Sequence, residues 1–271
     1  MTSEIAVIMS VYKNDKIETL RVAINSLKSQ TLVPDIYVWE DGLLEEEVQV
    51  YLHNELDVTS LAFMGQSSRN EGLASALNHL LGVVRAKGYR YIARMDADDI
   101  AMPNRIALQY RYMESHPDVD VVGGYIEEFG DDFDYQKIVT YPQEHQAMFN
   151  FFSKRVPLAH VTAFFHSRFF EKAGLYPTES PTNEDTLMWM RGFASGCRFA
   201  NVPEVLVRVR VSSEFFGRRG GTAKAWSDLK DRIKVIRTLG YNVTSYGYAV
   251  ALFAVNISPA WLKQILYKRL R

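Results

Sequence analysis

The chain has a single cysteine, Cys197, among 271 residues. One cysteine excludes a disulfide within the chain and fits a reducing compartment, where we expect Cys197 to be a small buried apolar residue. The sequence also lacks a cysteine cluster and paired histidines at helical spacing, so it gives no indication of a zinc site. These absences exclude a disulfide-stapled fold and leave a core built from apolar packing.

Long apolar runs are also scarce. A membrane-spanning helix needs about 20 predominantly apolar residues, whereas the apolar stretch at 246–257 is shorter and is followed at once by Ser258 and Pro259. The first residues lack the basic and apolar regions of a secretory signal, so we expect a cytosolic protein. Internal repeats and low-complexity linkers are absent.

Acidic residues are missing after Asp231, although the whole chain has 31 basic and 32 acidic residues. Residues 217–271 carry eleven Lys or Arg and two Asp, an excess of +9, and the preceding part carries −10. A basic tail on an acidic body predicts an anionic partner. The last cations are Lys263, Lys268, Arg269 and Arg271. With the apolar residues around Trp261 they favour a peripheral anchor on an anionic membrane surface, or a terminal helix docked on the body.

Apolar runs of strand length alternate with helical patterns in the first part of the chain. We predict strands at 5–11, 35–40, 61–64 and 89–95, and helices at 17–27, 45–56, 72–87 and 103–113. Continuous apolar strands separated by helices indicate βαβ units and a mostly parallel sheet. Ligands bind such sheets at the carboxyl ends of the strands, which is where residues 10–12, Asp41 and Asp96 fall.

The pattern changes after the fourth strand. Further strands are predicted at 119–124 and within 202–211, helices at 183–195 and 222–239, and a polar loop or hairpin at 127–141. We expect the apolar face of the 222–239 helix, including Trp226, to pack into the core.

Three carboxylates, Asp96, Asp98 and Asp99, follow the fourth predicted strand. Like charges this close repel one another, and a divalent cation is the simplest way to offset them. Such a cation keeps coordination positions open for substrate phosphates, so the corner predicts a nucleotide-diphosphate site. The alternative is an acidic turn that caps the next helix.

Glu184 and Asp185 open a predicted helix, where the macrodipole stabilises a carboxylate. They are candidates for a general base, or simply acids at a helix start. His160 and a cationic cluster are candidates for contacts to an acceptor or a diphosphate, the alternatives being a structural histidine and a solvated basic surface. The cluster consists of Arg208, Arg210, Arg218 and Arg219.

Five motifs, in order from residue 5 to about residue 210, resemble the inverting nucleotide-sugar glycosyltransferases of family 2, which have the GT-A fold. They are the run 7–12, Glu40-Asp41-Gly42, the run 70–78, Asp96-Ala97-Asp98-Asp99 and Asn183-Glu184-Asp185. The basic segment 218–221 is similar to one found in bacterial members that build surface polysaccharides. Two departures are the missing proline in the first motif and Glu40 where aspartate is usual.

The resemblance implies an α/β fold with a Rossmann-like, mostly parallel sheet flanked by helices. A GT-A catalytic domain would span 1–215, with a nucleotide-sugar-binding half at 1–100 and an acceptor-binding half at 101–215. Residues 216–271 would form a basic helical extension.

The resemblance also implies roles for individual residues. Tyr12 would stack on the uracil of a UDP-sugar, and Asp41 would accept its N3–H. Asp96 would contact the ribose and, with Asp98, hold Mn²⁺ or Mg²⁺. Asp185 would be the base, with Glu184 as its rival. The other nucleotide-binding residues would be Ser10, Val11, Arg69, Asn70, Gly72, Leu73 and Ala97.

The expected reaction is therefore metal-dependent, inverting transfer of a hexose or N-acetylhexosamine from a UDP-sugar. The acceptor would be a lipid-diphosphate-linked saccharide of O-antigen or capsule assembly, at the inner face of the cytoplasmic membrane, with no role for nucleic acid. A sugar-1-phosphate nucleotidyltransferase would instead want a glycine-rich loop after the first strand, and residues 10–15 contain no glycine. A non-catalytic nucleotide- or glycan-binding protein would have no use for Asp185.

Overall fold

A computed structural model describes residues 4–57, 61–131, 133–180, 183–211 and 222–258. Arg218, Arg219 and the last four cations of the chain lie outside these residues, and so does Trp261. Within the described residues, no helix combines the length and the apolar character needed to cross a membrane.

Strands and helices alternate through the first part of the chain, as the sequence predicts. The strands are β1 (Ile5–Tyr12), β2 (Asp35–Asp41), β3 (Phe63–Ser67), β4 (Tyr91–Met95), β5 (Ile100–Ala101), β6 (Val121–Gly130), β7 (Gln136–Val139), β8 (Phe164–His166) and β9 (Phe199–Val211). The helices are α1 (Ile17–Lys28), α2 (Glu46–Asp57), α3 (Leu73–Ala86), α4 (Arg105–Ser115), α5 (His145–Phe152), α6 (Arg168–Ala173), α7 (Glu184–Ala194), α8 (Thr222–Leu239) and α9 (Val243–Ile257). A short 3₁₀ turn covers His160–Thr162.

One sheet joins these strands in the order β3-β2-β1-β4-β8-β6-β9-β5, with β7 paired to β6. The β1–β2, β1–β4, β2–β3 and β6–β9 pairs are parallel. Antiparallel pairs occur at β8, β5 and β7. The parallel part places the carboxyl ends of β1, β2, β3 and β4 on one edge, which is where a ligand site is expected.

Apolar side chains fill both faces of the sheet, which explains the continuous apolar strands. On one face, α1 buries Leu20, Ile24 and Leu27, which form its predicted stripe. On the other, α3 buries Leu77, Leu80, Leu81 and Val84 beside an aromatic cluster around Trp189. Full burial of one such side chain contributes about 1.5–3 kcal/mol. Cys197 is buried in the second cluster, as predicted.

Several boundaries differ from the sequence prediction. β3 lies at Phe63–Ser67 rather than at 61–64, because the strand pairs with β2 through Gly65, whose bare backbone accepts the ring of Trp39. The loop-like region at 127–141 contains the end of β6 and all of β7, so the hairpin alternative is correct. β5, α5, β8 and α6 were not predicted, since these short elements are fixed by tertiary contacts.

The C-terminal helices pack on the body of the fold. α8 buries Ala225, Val235 and Ile236. Trp226 is 53% exposed, with its ring against that of Phe253 of α9, so the prediction that it is a core residue was wrong. The alanine before it, rather than the tryptophan, faces inward.

Candidate functional site

Strands β1, β2 and β3 end in register, so that their carboxyl ends lie together at one edge of the sheet. Tyr12 pairs with Asp41, and Asp41 pairs with Ser67 across the next strand. The row continues at β4, whose last residue, Met95, is followed by Asp96. Tyr12 is 36% exposed, so its ring is accessible at this edge. The sequence-predicted uracil residues therefore lie side by side.

Asp41 fastens the loop before α3 to the end of β2. Its carboxylate accepts hydrogen bonds from the backbone N–H of Glu71 (2.7 Å) and of Gly72 (2.9 Å), and from the side-chain amide of Asn70 (3.0 Å). Gly42 has a φ of 89°, and a Cβ there would lie 2.7 Å from the backbone nitrogen of Asn70. Close approach of two backbones thus requires glycine after Asp41.

The other predicted nucleotide-binding residues lie around the same edge, at different depths. Val11 and Ala97 are buried, Ser10, Gly72 and Leu73 are half-buried, and Arg69 and Asn70 are exposed. Trp39 stacks on His79 at 4.4 Å and donates to the hydroxyl of Ser67 at 2.9 Å. These contacts hold β2, β3 and α3 together behind the loop.

Asp96, Asp98 and Asp99 form a carboxylate cluster after β4. One oxygen from each lies within 4.8 Å of the others. Asp99 is buried, and burial together with Asp96 and Asp98 raises the pKa of its carboxyl well above the usual value. Asp98 is exposed as a whole residue, but partial burial of its carboxyl group, and after it the charge of Asp96, raise its pKa to about 6. The group has the oxygen donors and the unrelieved repulsion that a hard divalent cation would satisfy.

Buried cations already offset part of this charge. Arg94 is 4% exposed and forms an ion pair with Asp96. Arg105 is fully buried, and its guanidinium donates to the backbone carbonyls of Arg94 (2.6 Å) and Val161 (2.9 Å). Burial and the neighbouring Arg94 lower the pKa of Arg105 to about 9. The sequence analysis considered only a divalent cation as the offset, and these arginines supply part of it.

A fourth carboxylate, Asp15, was missed by the sequence analysis. The backbone N–H of Tyr12 donates to its carboxylate at 2.9 Å, and its own N–H donates to the carbonyl of Tyr12 at 3.0 Å. Burial, followed by the charges of Asp98 and Asp96, raises the pKa of Asp15 to about 7. The turn thus directs Asp15 toward the cluster. An acid three residues after the strand-end tyrosine was the signal available in the sequence.

Glu184 and Asp185 occupy the first turn of α7, as predicted. Asp185 accepts the backbone N–H of Thr186 at 2.6 Å. Burial and the adjacent Asp185 raise the pKa of Glu184 to about 7. Asp185 lines the same cavity as Asp96 and Asp99, so the structure brings the two predicted acidic motifs together.

Asn183 connects this helix start to α8. Asn183 is the N-cap residue of α7, but its side chain makes no capping hydrogen bond. Instead its amide donates to Asp228 (2.9 Å) and to Asp231 (2.8 Å). Asp231 also accepts from Ser180 at 2.8 Å. The two acidic residues of the basic tail are therefore both used to hold the segment before Asp185.

The predicted acceptor and diphosphate residues separate in the structure. His160 bonds to the hydroxyl of Tyr176 at 2.9 Å, and burial and Arg94 hold its pKa well below the usual value, so it is a neutral structural histidine in the cavity wall. Arg208 pairs with Glu127 at 2.8 Å. The backbone N–H of Arg210 donates to Asp99 at 2.8 Å, and its side chain pairs with Asp131. Arg210 thus belongs to the aspartate cluster.

A cavity of about 670 Å³ lies between the two halves of the site. Its walls come from β4, β6, β7, the 151–161 segment, the start of α7, α8 and α9. Asp96, Asp99 and Asp185 line it together with apolar residues of α9. The geometry therefore offers a polar reaction centre with a second, partly apolar compartment beside it.

Residues 6–173 match the protein family described as Glycosyl transferase family 2. The chain belongs to this family. This family 2 glycosyltransferase continues beyond the match with α7, α8 and α9, which supply Asp185, Asn183 and one wall of the cavity. Membership in this family argues against the two alternatives considered from the sequence, a sugar-1-phosphate nucleotidyltransferase and a non-catalytic binding protein.

Sequence similarity to known glycosyltransferases covers nearly the whole chain. It is 29% identical over 270 residues to the amylovoran biosynthesis glycosyltransferase AmsE of Erwinia amylovora, covering 97% of this chain and 98% of that one. It is 26% identical over 274 residues to a UDP-Gal:alpha-D-GlcNAc-diphosphoundecaprenol beta-1,3-galactosyltransferase of Escherichia coli, covering 99% and 96% of the two chains.

A solved structure supports the GT-A fold assignment. The mannosyltransferase PcManGT from Pyrobaculum calidifontis, in complex with GDP-Man and Mn²⁺, superposes with a TM-score of 0.64 at 16% identity. The match covers all of this chain and 81% of that one. At this identity the likeness concerns the fold.

Proposed function

We propose that this glycosyltransferase transfers a hexose or N-acetylhexosamine from a UDP-sugar, with inversion, to a lipid-diphosphate-linked saccharide during bacterial surface polysaccharide assembly. The observation that carries the proposal is the shared cavity. Asp96 and Asp99 of the carboxylate cluster line it together with Asp185 at the start of α7. A donor diphosphate and an acceptor hydroxyl would meet there.

The donor half of the proposal rests on the row at the sheet edge. Tyr12 offers a ring for the uracil, and Asp41, with Asn70 and the 71–72 backbone, shapes the pocket floor. Asp41 already accepts three hydrogen bonds, so in this proposal the uracil N3–H takes a remaining lone pair of its carboxylate. The name of the Escherichia coli relative, which contains UDP-Gal, is consistent with a uridine donor.

The aspartate cluster fits a divalent metal ion. Its three carboxylates converge, two have raised pKa values, and oxygen donors suit Mn²⁺ or Mg²⁺. Asp98 and Asp96 would hold the ion, which would act as a Lewis acid on the leaving diphosphate. Arg94 and Arg210 contribute positive charge at the same place.

Asp185 is proposed as the general base. An acceptor hydroxyl in the cavity would give its proton to the Asp185 carboxylate as its oxygen attacks the anomeric carbon and the bond to UDP breaks. The first turn of α7 stabilises the carboxylate as an anion before transfer. Glu184, whose pKa burial and the adjacent Asp185 raise to about 7, stays the rival base. Asp185 is preferred because of its position in the Asn183-Glu184-Asp185 motif.

Release of UDP from a set of UDP-sugars, measured with a lipid-diphosphate-linked saccharide acceptor, tests the proposal directly. Release should require Mn²⁺ or Mg²⁺, stop in EDTA and return when the metal is restored. UDP should bind better than CDP and GDP in calorimetry. Full activity in EDTA, equal binding of the three nucleotides, or retention of the donor's anomeric configuration by NMR would each contradict the part of the proposal concerned.

The proposed location is the inner face of the cytoplasmic membrane. Support comes from the +9 tail and from α9, which has no charged residue among Val243–Ile257. Each basic residue near an anionic surface contributes about 1 kcal/mol, weakened by salt.

Sedimentation with anionic vesicles tests this location. The full chain should pellet at low salt and be released at high salt. Replacing Lys263, Lys268, Arg269 and Arg271 by Gln should abolish pelleting, whereas the same change at Lys13, Lys16, Arg85 and Lys87 on the body should not. Equal effects of the two sets would mean that the tail is not the anchor.

A further inference from the structure

Asn78 closes the 70–78 motif, yet the proposed chemistry gives it no role. It lies on α3, about two turns beyond the backbone N–H groups that Asp41 holds. Its side-chain amide donates to the backbone carbonyl of Tyr176 at 2.9 Å and accepts the backbone N–H of the same residue at 2.8 Å. The two residues are 98 positions apart in sequence. One amide thus uses a donor and an acceptor together to fix both the distance and the orientation of a remote segment.

Tyr176 brings this contact into the site. The residue is 2% exposed, and its hydroxyl is hydrogen-bonded at 2.9 Å to His160, which lines the cavity. Burial raises the pKa of the hydroxyl, Arg94 opposes the rise, and the charges of Glu184 and Asp185 add to it. Tyr176 therefore lies within electrostatic reach of the arginine at the aspartate cluster and of both acids at the start of α7.

The segment that leads from Tyr176 to α7 has a further anchor on α8. Ser180 is 4% exposed, and its hydroxyl donates to Asp231 of that helix at 2.8 Å. Asn78 adds an anchor on α3, a helix of the nucleotide side. The segment before the proposed base is therefore fastened to both halves of the site.

Helix α3 connects the proposed uracil pocket to this segment as a single rigid element. Asp41 accepts hydrogen bonds from the backbone at its start, and Asn78 holds Tyr176 about 9 Å further along the axis. A helix keeps such a separation constant, whereas a loop would let it vary. Constancy matters at this place, because a misplacement of a reacting group by about 1 Å slows catalysis by about 10²-fold.

We propose that Asn78 is a positioning residue, which sets the distance between the bound donor and the Asp185 carboxylate by holding the backbone of Tyr176. This inference rests on the proposed function, in which Asp185 is the base, and adds a residue that touches neither substrate. Its loss should slow sugar transfer and leave donor binding unchanged. A residue that merely stabilised α3 would instead weaken the uracil pocket, because Asp41 is attached to the same helix.

Steady-state kinetics of Asn78→Ala test this role in the full chain. The donor is whichever of UDP-glucose, UDP-galactose, UDP-GlcNAc and UDP-GalNAc the unaltered enzyme uses fastest, with Mn²⁺ and a lipid-diphosphate-linked N-acetylhexosamine as acceptor. Turnover, measured as UDP release, should fall about tenfold, whereas the KM for the donor and the calorimetric affinity for UDP should stay the same. Equal losses of turnover and of UDP affinity would contradict a positioning role.

A double-mutant cycle with Asp185→Asn decides whether Asn78 acts through the base. If it does, Asn78→Ala should change the turnover of Asp185→Asn by less than about twofold, because the base that it positions is already gone. A further loss of about tenfold would overturn the inference and leave the proposed function standing. Wild-type turnover of Asp185→Asn alone would instead reject the proposed base, whatever Asn78→Ala does.

A matched control removes a similar contact at the amino end of β6, away from the site. Arg168 donates to the backbone carbonyls of Pro117 and Val119, both at 2.6 Å. Arg168→Ala should lower the melting temperature and leave turnover within about twofold of the wild type. A loss of turnover equal to that of Asn78→Ala would show that loosening any such contact slows the enzyme, and the proposal would fail.

Hydrogen exchange tests the contact without any substrate. In Asn78→Ala the backbone amides of residues 174–180 should exchange faster, whereas those of residues 71 and 72, held by Asp41, should not change. Unchanged exchange at 174–180 would mean that Asn78 does not hold the segment. If Asn78→Ala does not fold, Asn78→Asp replaces it with the same criteria, because its carboxylate keeps the acceptor for the Tyr176 N–H and loses the donor.

Discussion

The two halves of the site are built in different ways. At the nucleotide edge, Tyr12, Asp41 and Ser67 are register neighbours on adjacent parallel strands, so their positions follow from the sheet itself. The acceptor side is assembled from the 151–161 segment, the start of α7, α8 and α9, which meet only in the folded chain. The proposed nucleotide edge is therefore fixed by the sheet, and the proposed acceptor side by contacts such as those of Asn183 with Asp228 and Asp231. Variants on the two sides should fail in different ways.

The largest effect is expected at the aspartate cluster. Asp98→Ala removes the most exposed carboxylate of the cluster. It should abolish most activity and also weaken UDP binding, because both depend on the proposed metal. Calorimetry with UDP, with and without Mn²⁺, measures the second effect. Asp118→Ala, which removes an exposed carboxylate from the α4–β6 loop, serves as the control. Normal UDP affinity of Asp98→Ala in the presence of Mn²⁺ would contradict the assignment.

The next largest effect is expected at Asp185, where turnover and UDP binding should respond independently. Asp185→Asn keeps the shape of the side chain but cannot take a proton, so turnover should fall by about 10²–10⁴-fold while UDP binding stays normal. Glu184→Gln is the matched variant. Below pH 7 Glu184 is mostly protonated, because its pKa is raised to about 7, and Gln imitates that form. Turnover of Glu184→Gln should therefore be measured above pH 7, where wild-type Glu184 is ionised, and should stay near the wild-type value because Glu184 is not the proposed base. A loss as large as that of Asp185→Asn would exchange the two roles.

A smaller effect should follow from loosening the connection between α7 and α8. Asn183→Ala removes two hydrogen bonds to Asp228 and Asp231, so we expect turnover to fall by roughly tenfold as Asp185 loses its fixed position. The KM for the donor should change little, which a general loss of structure would not produce. Asn183→Gln, which keeps the amide, should recover part of the turnover. If Asn183→Ala changes KM for donor and turnover equally, the positioning role fails.

The smallest effect is expected at Asp41, on the side that the sheet already fixes. Asp41→Asn keeps one acceptor oxygen but turns an amide NH₂ toward the backbone N–H groups of residues 71 and 72. UDP affinity should fall by about tenfold or less, in keeping with the loss of one charge-assisted hydrogen bond. Ser68→Ala, on the exposed part of the same loop, is the control. An effect on turnover without any on UDP affinity would place Asp41 outside the nucleotide site.

Much of the nucleotide half could be predicted from sequence, because its signals are local. The apolar runs at β1, β2 and β4 give buried strands, and the acids that follow them must lie at their carboxyl ends. Asp15 was missed because its role depends on a turn that returns it to the strand end. Arg94 and Arg105 were missed because a buried arginine in a helix or strand has no local pattern that distinguishes it from a surface one.

The acceptor half was predicted less well, because its elements are held by contacts far apart in sequence. β8 has three residues and runs antiparallel between β4 and β6, which no local periodicity indicates. The hydrogen bonds of Asn183 join it to residues 45 and 48 positions away. His160 and Arg208 carried the right chemistry for an acceptor site, but their partners, Tyr176 and Glu127, could only be found in the folded structure.

Arg105 has a consequence for the interval between successive turnovers. In the proposed reaction, departure of the nucleotide diphosphate would leave the carboxylates after β4 facing one another. The guanidinium beneath them remains in place, because its hydrogen bonds go to the backbone carbonyls of Arg94 and Val161, which no step of the reaction alters. Gln109, beside it on α4, holds the carbonyls of Val122 and Thr162 in the same way. The backbone around the carboxylates is therefore fastened by side chains that do not depend on them, and on the proposed function each donor would meet the same framework.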